Sequence, residues 1–307
     1  MSADKLINQK SAPIDPFDPE EYFHTFYSNV AWRKEDGDPM KFFQDCLHEA
    51  FSKGNITGTK LLDVGTGPIP NTVFCAAPWF EDITLSDFSQ KNLEFLRKWR
   101  DGKINHMGPV FEYILQLDKS GSMEERQDEL RKKIGNIVFC DITEPNPVAS
   151  TAVDGVIFDA ITCSNCLEVA SFTLDDIAKS VRNLRTLLKP GGHFVLEGCL
   201  EMSFYRVGEL LYECYPINTN QLEDIFKKEG FEILNLQVLN YTPRPEEGYF
   251  SDCNSVFAMV TRKVEHCRFT HIRHSYVDAR SGPGIWICLR RACSYHTSNV
   301  LVAFLAR

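Results

Sequence analysis

Short apolar runs alternate along the chain with longer segments whose apolar residues recur at helical spacing. The clearest helical segment is 173–189, and its apolar face would carry Ile177, Val181, Leu184 and Leu188. Further helices are predicted at 89–100 and 220–230. Strands are predicted at 60–65, 81–88, 136–142, 152–161, 193–198, 231–239 and 255–263.

Strands that alternate with helices, several of them apolar on both faces, are typical of a parallel sheet covered on two sides. The last two predicted strands follow each other without an intervening helix, so we expect one antiparallel strand at an edge of the sheet. The pattern therefore predicts an α/β fold, namely a doubly wound, mostly parallel, seven-stranded sheet of the Rossmann-like type.

The segments that flank this alternation differ in character. The stretch "FDPEEYFHTFY" (17–27) predicts a helix with Asp18 as N-cap and Pro19 in the first turn, and a second helix is expected at 39–52. The charged segment 102–133 interrupts the alternation and is expected to form a surface helix or lid. The predicted domain organisation is a flexible N-terminus over 1–16, one domain over 17–263, and a basic, poorly ordered appendage over 264–307.

The charge of the chain is acidic and uneven. It carries 33 basic and 42 acidic residues, a net charge of −9, whereas the 264–307 tail contains six Arg and only two acids. A negatively charged main domain disfavours nucleic acid as a partner. No segment approaches the roughly 20 apolar residues of a membrane helix, and the N-terminus lacks the apolar core of a signal peptide. We therefore expect a cytoplasmic monomer that binds neither membrane nor nucleic acid.

The eleven cysteines are odd in number and scattered over predicted strands and helices. This distribution is typical of reduced thiols in a cytosolic protein and not of a disulfide scaffold. Cys163 and Cys166 form the one close pair, and neither a second pair nor a thioredoxin-like context accompanies them. We interpret the cysteines as packing residues and predict no metal site.

The first predicted strand runs into a glycine turn within "LLDVGTGPIPN". A dinucleotide-binding turn has the pattern G-x-G-x-x-G, whose backbone amides meet a pyrophosphate. Here Gly65 and Gly67 are present, but Pro70 replaces the third glycine, and Pro68 removes another N–H donor. Asp63 stands two residues before the first glycine, where it would repel a diphosphate.

The same features favour a cationic cofactor. S-adenosylmethionine carries an ammonium and a sulfonium and has no phosphate, so Asp63 would attract it. Asp87 ends the second strand, about 20 residues after Gly67, where an acid accepts ribose hydroxyls. Asp141 follows the third strand, where it can meet the adenine amino group. Acids at three successive strand ends predict S-adenosylmethionine as the cofactor.

Several long stretches resemble the family of nicotinamide, phenylethanolamine and indolethylamine N-methyltransferases, which have the class I methyltransferase fold. The matching stretches are "FDPEEYFHTFY", "LLDVGTGP", "LSDFSQKNLEFLRKW", "CDIT", "CLEVASFTLDDIAKSVRNLRTLLKPGGHFVLEG", "SFYRVGE" and "SVFAMVTRK". They extend over about 17–263. The resemblance implies methyl transfer from S-adenosylmethionine to a small amine or N-heteroaromatic compound, beneath an N-terminal helical lid.

The resemblance also implies roles for individual residues. It assigns to the cofactor site Tyr22, Tyr27, Gly65, Gly67, Asp87, Phe88, Asn92, Asp141 and Ile142. In that assignment the two tyrosines close over the cofactor, Asp87 and Asn92 contact its ribose and methionine parts, and the remaining side chains surround the adenine. In the substrate pocket it implies Glu168, Tyr205 and Asp252 as the catalytic residues.

The chemistry of the acceptor depends on its proton. Methyl transfer needs a neutral nitrogen held in line with the sulfonium, with water excluded. An aliphatic amine arrives protonated, since its pKa lies near the 10.4 or so of lysine, so Glu168 and Asp252 would bind the ammonium and accept its proton. A pyridine nitrogen needs no base. The two acids thus favour amines over heteroaromatic compounds.

Two other functions stay open on the sequence alone. One is a catalytically inactive methyltransferase fold that acts as a binding module, and the other is an NAD-dependent doubly wound enzyme. The altered glycine turn and Asp63 argue against the second. The presence of all the cofactor acids argues against the first.

Overall fold

The computed structural model describes residues 6–7, 16–28, 37–54, 56–105, 108–119, 121–244 and 247–264. The predicted appendage beyond Val264 and most of the predicted flexible N-terminus lie outside these residues, so the domain boundaries stay predictions. Within the described ranges, no helix has the length and apolar character needed to cross a membrane.

The described strands are β1 (Leu6–Ile7), β2 (Lys60–Val64), β3 (Asp82–Asp87), β4 (Ile134–Phe139), β5 (Phe158–Ser164), β6 (Leu188–Cys199), β7 (Phe204–Val207), β8 (Leu210–Glu213), β9 (Phe231–Asn240) and β10 (Ser255–Lys263). The described α-helices are α1 (Pro19–Phe23), α2 (Pro39–Ser52), α3 (Asn71–Ala76), α4 (Gln90–Arg100), α5 (Pro109–Asp118), α6 (Met123–Lys133), α7 (Leu174–Leu187) and α8 (Thr219–Lys228). A π-helical turn, His24–Ser28, continues α1.

Seven strands of the described chain form one sheet in the order β4-β3-β2-β5-β6-β10-β9. The predicted α/β fold with a mostly parallel seven-stranded sheet is confirmed. The antiparallel strand is β10, which lies second from the edge between β6 and β9. The chain runs outward from β2 to β4 and then restarts at β5 on the other side of β2. Ligands bind at such a switch point, beyond the carboxyl ends of the strands.

Alternate residues of the strands bury into two separate cores, one on each face of the sheet. In β5, Ala160 belongs to the core under α2 and α3, whereas Ile161 belongs to the core under α7 and α8. The predicted apolar face of α7 is fully buried. Thr173 and Asp176 form a capping box at its N-terminus, which fixes where the helix begins.

Two predicted strands are shorter than expected at one end. The strand predicted at 152–161 begins only at Phe158, because Gly155 takes a left-handed φ of 70° within a turn. The strand predicted at 136–142 ends at Phe139. Asp141 lies in the turn that follows, where its carbonyl accepts a hydrogen bond from the Glu144 amide.

The charged segment 102–133 forms two packed helices, α5 and α6, where a single surface helix or lid was expected. Arg126 of α6 is buried, pairs with Asp118 of α5, and lies 5.7 Å from the ring centroid of Phe74. The aliphatic part of the Arg126 side chain covers apolar surface. The charge-rich stretch is therefore part of the layer that covers the sheet.

A β-hairpin that the sequence pattern does not predict follows the main sheet strand β6. Strands β7 and β8 are antiparallel, and β1 pairs with β8 in parallel. Tyr205 of β7 stacks on Tyr212 of β8 with ring centroids 4.9 Å apart. The hairpin and α1 lie side by side, since the Glu21 side chain comes within 3.3 Å of where a Cβ of Gly208 would be.

Candidate active site

The glycine turn follows β2 directly and leaves open space beside its second glycine. Gly65 and Gly67 have φ values of 67° and 65°, a conformation that side chains other than glycine rarely adopt. A Cβ on Gly65 would lie 2.5 Å from the Cys166 sulfur, whereas a Cβ on Gly67 would meet nothing within 4 Å. The turn therefore needs glycine at the first position for space and conformation. At the second it leaves room for a ligand.

Asp87, the last residue of β3, ties this turn to the helix that follows. Its Oδ2 accepts a hydrogen bond of 2.8 Å from the Gly67 amide. Its Oδ1 accepts from the Ser89 amide at 2.8 Å and from Asn92 Nδ2 at 3.1 Å. The Oδ1 of Asn92 is buried and has no hydrogen-bond partner among the described residues. An orphaned polar atom beside a carboxylate indicates a place for a polar ligand.

Asp141 and its neighbours form the far end of the same edge. The Asp141 carboxylate accepts from the Thr143 amide at 3.0 Å and from the Thr143 hydroxyl at 2.7 Å. Phe88 packs against Phe139 with ring centroids 5.4 Å apart, and Ile142 is buried. Apolar side chains together with an acid are suited to an adenine ring.

Aromatic rings of the N-terminal segment form another part of the candidate site. Tyr22 lies between Phe17, Phe26 and Tyr27, with ring centroids 5.0 to 6.0 Å away. The Tyr27 hydroxyl donates to Asn71 Oδ1 at 3.3 Å. Burial raises the pKa of Tyr22 to about 12, so its hydroxyl stays protonated at neutral pH. Asp18 caps the N-terminus of α1, as the sequence predicted, because its side chain accepts hydrogen bonds from the Glu20 and Glu21 amides.

These elements enclose a cavity of about 560 Å³. Predicted site residues that line it are Tyr22, Tyr27, Gly65, Gly67, Asp87, Phe88, Asn92, Asp141, Ile142 and Tyr205. The volume is in the range of sites for small organic molecules. The predicted residues that do not line the cavity are Asp63, Glu168 and Asp252.

Asp63 lies beneath the glycine turn and not on the cavity wall. Its Oδ1 accepts a 2.6 Å hydrogen bond from the Thr162 hydroxyl, and Ser86 donates to its carbonyl at 2.7 Å. Burial raises the pKa of this carboxyl to about 7. The geometry gives Asp63 a place in fixing the turn, whereas direct attraction of an ammonium group stays a prediction.

Glu168 does not line the cavity either. Its Oε1 accepts from the Cys199 amide at 3.0 Å, and Gly198 makes room for it, because a Cβ there would lie 2.7 Å from that oxygen. Burial raises the pKa of Glu168 to about 7. A carboxyl with this pKa can exchange a proton at neutral pH, but Glu168 does not line the cavity, whereas its partner Cys199 does.

Asp252 lies at the surface and holds the β7–β8 hairpin. Its carboxylate accepts from the Ser203 amide at 2.9 Å, the Ser203 hydroxyl at 2.6 Å and the Phe204 amide at 3.4 Å. Its chain neighbours Ser251 and Cys253 line the cavity. The predicted contact with a substrate amine stays a prediction.

Sequence reasoning missed a further buried carboxyl, that of Glu197 in β6. Ser164 donates to one of its oxygens at 3.4 Å, and the other oxygen has no partner within the described ranges. Burial, together with the nearby charge of Asp63, raises its pKa well above the usual range. A charged residue inside the apolar run "HFVLEG" is the signal that could have revealed it.

The other end of the cavity is rich in sulfur and aromatic rings, which the sequence pattern did not bring together. Its wall includes Phe43, Cys199, Met202, Tyr205, Tyr241 and Cys253. They come from α2, from the end of β6, and from the segments around the hairpin and β10. None of these six residues is charged, although Asp38, Arg244 and Glu247 also line the cavity. The cavity thus has an acidic end at the glycine turn and a mostly apolar end at these six residues.

Comparison with known proteins identifies the family of this chain. The model of the NNMT/PNMT/TEMT family matches residues 5–264. Indolethylamine N-methyltransferase of Oryctolagus cuniculus is 32% identical over 250 residues, which cover 80% of this chain and 93% of that protein. Nicotinamide N-methyltransferase of Homo sapiens is 25% identical and covers 84% and 97%, respectively. Phenylethanolamine N-methyltransferase of Macaca mulatta is 28% identical and covers 71% and 78%. The chain belongs to the NNMT/PNMT/TEMT family.

Proposed function

We propose that this protein is an S-adenosylmethionine-dependent N-methyltransferase that acts on a small amine or N-heteroaromatic compound. The observation that carries the proposal is the two-ended cavity. One end has the glycine turn with Asp87, Asn92 and Asp141, and the other is mostly apolar and aromatic. A methyl donor and a small acceptor need such a pair of adjoining sites.

The acidic end fits S-adenosylmethionine in chemistry and space. Gly67 leaves open volume beside the turn, and Asn92 offers a buried oxygen that lacks a partner among the described groups. In our proposal Asp87 and Asn92 hold the ribose and methionine parts, and Asp141 with Phe88 and Ile142 holds the adenine. When bound, S-adenosylmethionine supplies a methyl group that its sulfonium already activates.

The protein's own contribution is to position the acceptor and exclude water. Tyr22 and Tyr27 of the N-terminal segment form one cover, and Tyr205 of the hairpin forms the other. Their rings bring low polarity to the place where the acceptor nitrogen approaches the donor. A dry, closed site strengthens the electrostatic contacts inside it and keeps the acceptor in line.

The position and pKa of Glu168 bear on two classes of acceptor. Glu168, with its pKa raised to about 7 by burial, can take a proton from an ammonium acceptor at neutral pH. Its absence from the cavity wall supports instead an acceptor that arrives neutral, such as a pyridine-type nitrogen. The family includes relatives named for both kinds of compound.

A methyl-transfer screen tests the proposal. The chain is incubated with labelled S-adenosylmethionine and nicotinamide, a phenylethanolamine, tryptamine or a simple thiol, and labelled product is measured. We expect label on a nitrogen compound, and much less of it when Asp87→Ala replaces the wild type at a donor concentration near the wild-type Kd. Donor binding without turnover on a broad amine panel would favour a binding module. Label on the thiol alone would overturn the nitrogen acceptor.

We further propose that the protein works as a monomer in the cytoplasm, without nucleic-acid partners. In support, the cysteines within the described ranges are all free thiols, which suits a reducing compartment. Residues 1–263 carry 27 basic and 40 acidic groups, so this part of the chain would repel a polyanion.

A further inference from the structure

Two thiols stand together on the wall at the apolar end of the cavity. Cys199 is the last residue of β6, and Cys253 lies just before β10. Both line the cavity. Cys214 of the same apolar cluster is buried behind them and does not belong to the wall. A cavity that admits a small acceptor also admits other small molecules to the two wall thiols.

The two thiols are neighbours in this wall. The Cys199 thiol donates to Asn165 Oδ1 at 3.7 Å and the Cys253 thiol donates to the Ser255 carbonyl at 3.4 Å, and the two side chains also interact with each other. The backbone holds the two segments in place, because Cys199 pairs with Val256 across β6 and β10, and the Leu200 amide donates to the Ser255 carbonyl at 2.8 Å. The contact therefore joins parts of the chain that are fixed by a sheet.

The pair is also chemically unequal. Chiefly because the Cys199 thiol hydrogen-bonds it, the pKa of Cys253 lies below its usual range. Tyr241, another wall residue, adds a second hydrogen bond to Cys253. A thiol that loses its proton more readily is the better nucleophile toward an oxidant, and its neighbour is then in position to resolve the product.

We propose that Cys199 and Cys253 form a reversible disulfide when a hydroperoxide enters the cavity, and that this disulfide impairs the acceptor end of the site. The second part rests on the proposed function, whereas the first does not. A transient disulfide of this kind is the form in which disulfides occur in reducing compartments.

The reaction balances with hydrogen peroxide as the oxidant. The Cys253 sulfur attacks one peroxide oxygen, the O–O bond breaks, and a sulfenic acid and one water form. The Cys199 sulfur then attacks the sulfenic sulfur, an S–S bond forms, and the second water leaves. Both thiol protons end in water, two sulfurs are oxidised, and both peroxide oxygens are reduced. A small dithiol reverses the reaction by thiol–disulfide exchange.

Peptide mapping tests the disulfide directly. Tryptic cleavage places Cys199 in 186–206, Cys214 in 207–227 and Cys253 in 229–262, with a single cysteine in each peptide. After peroxide treatment and alkylation of free thiols, we expect the first and third peptides to be linked, with the loss of two hydrogen atoms. Dithiothreitol should release them. Alkylated, unlinked peptides at both positions, or a link through Cys214, would overturn the proposal.

The functional arm compares oxidised with reduced protein. We expect peroxide to lower methyl transfer several-fold by raising the KM for the acceptor, with little change in S-adenosylmethionine binding measured by calorimetry, and dithiothreitol to restore it. The response should vanish in Cys199→Ser and in Cys253→Ser and persist in Cys214→Ser, which is the matched control. Linked peptides with unaltered kinetics would overturn the control of the acceptor end. A chain that binds no donor in either state would instead overturn the proposed function.

Discussion

A single carboxylate, that of Asp87, joins three parts of the donor end. It accepts hydrogen bonds from the glycine turn, from Ser89 and from Asn92, and it also faces the cavity. The residue therefore shapes the site and, in our proposal, also contacts the ligand.

Asp87→Ala should lower the affinity for S-adenosylmethionine by at least about tenfold, because a hydrogen bond to a charged group contributes about 1.5–3 kcal/mol and 1.4 kcal/mol is a factor of ten. Calorimetric titration measures the change. Asp154→Ala, at an exposed turn before β5, is the matched control and should bind as the wild type does. An unaltered affinity in Asp87→Ala would mean that the ribose lies elsewhere.

Glu168 is the residue whose pKa matters most for the acceptor. If it takes the acceptor's proton, kcat/KM rises as pH increases through about 7, where the buried carboxyl loses its own proton. Glu168→Gln should remove this rise and lower turnover, and it should leave donor affinity nearly unchanged. Measurement of kcat/KM from pH 5.5 to 8.5 or so checks this. A variant with the wild-type rate and pH profile would show that the residue is structural.

Sequence reasoning reached the donor residues more fully than the acceptor residues, and the reason is geometric. Asp87 and Asp141 sit at or just after the ends of parallel strands, which meet at one edge of any such sheet. The directions of Glu168 and Asp252 depend on a hairpin and on the absence of a Cβ at Gly198, and no periodicity encodes these. Their positions therefore had to come from the structure.

At the level of elements, the β7–β8 hairpin depends on one surface acid. The Asp252 carboxylate accepts two backbone hydrogen bonds and one from the Ser203 hydroxyl. The hairpin carries Tyr205 to the cavity and stacks it on Tyr212. The role of Asp252 in our account is to position Tyr205 by way of this hairpin.

Asp252→Ala should lower kcat several-fold and destabilise the fold by about 1–2 kcal/mol, which is what loss of such hydrogen bonds costs. Ser203→Ala should have a smaller effect of the same kind. The double variant should be little worse than Asp252→Ala alone, because both changes remove one shared interaction. Activity and chemical denaturation are measured for the wild type, the two single variants and the double variant, which together form a double-mutant cycle. Full additivity would indicate that Asp252 acts on the substrate separately.

Elements with a strong local pattern were predicted well, and elements made by pairing were not. Helix α2 has the predicted bounds because Asp38 caps it and Pro39 opens it. The small sheet of β1, β7 and β8 escaped prediction, since a two-residue strand has no periodicity and its partner is distant in sequence. Helix α6 looked like a solvated face, and its buried Arg126 gains its partner only through the fold.

At the scale of the whole molecule, the fold buries several carboxyls at the rim of the sheet. Burial raises the pKa of Asp63 and of Glu168 to about 7, and that of Glu197 well above its usual range. A carboxyl whose pKa is higher in the folded protein than in the unfolded chain contributes its full stabilisation at a pH below the pKa of the unfolded chain. This contribution to the free energy of unfolding is lost as the pH rises through the pKa of the folded protein.

The free energy of unfolding of the wild type should therefore fall between about pH 5 and 8. In Asp63→Asn this fall should be smaller by about 2 kcal/mol. The amide is uncharged at every pH and can still accept the Thr162 hydrogen bond. Urea denaturation at the two pH values measures the free energy of unfolding, and Asp154→Asn serves as an exposed control. An identical pH dependence in wild type and Asp63→Asn would mean that Asp63 titrates at its ordinary pKa.

The central claim concerns which cofactor the acidic rim accepts. The most direct measurement is calorimetric titration of the intact protein with S-adenosylmethionine and, separately, with NADH. The account predicts saturable, one-to-one binding of S-adenosylmethionine and no detectable binding of NADH, because Pro68 and Pro70 remove two of the amides that a pyrophosphate would use. Saturable binding of NADH, with none of S-adenosylmethionine, would contradict it.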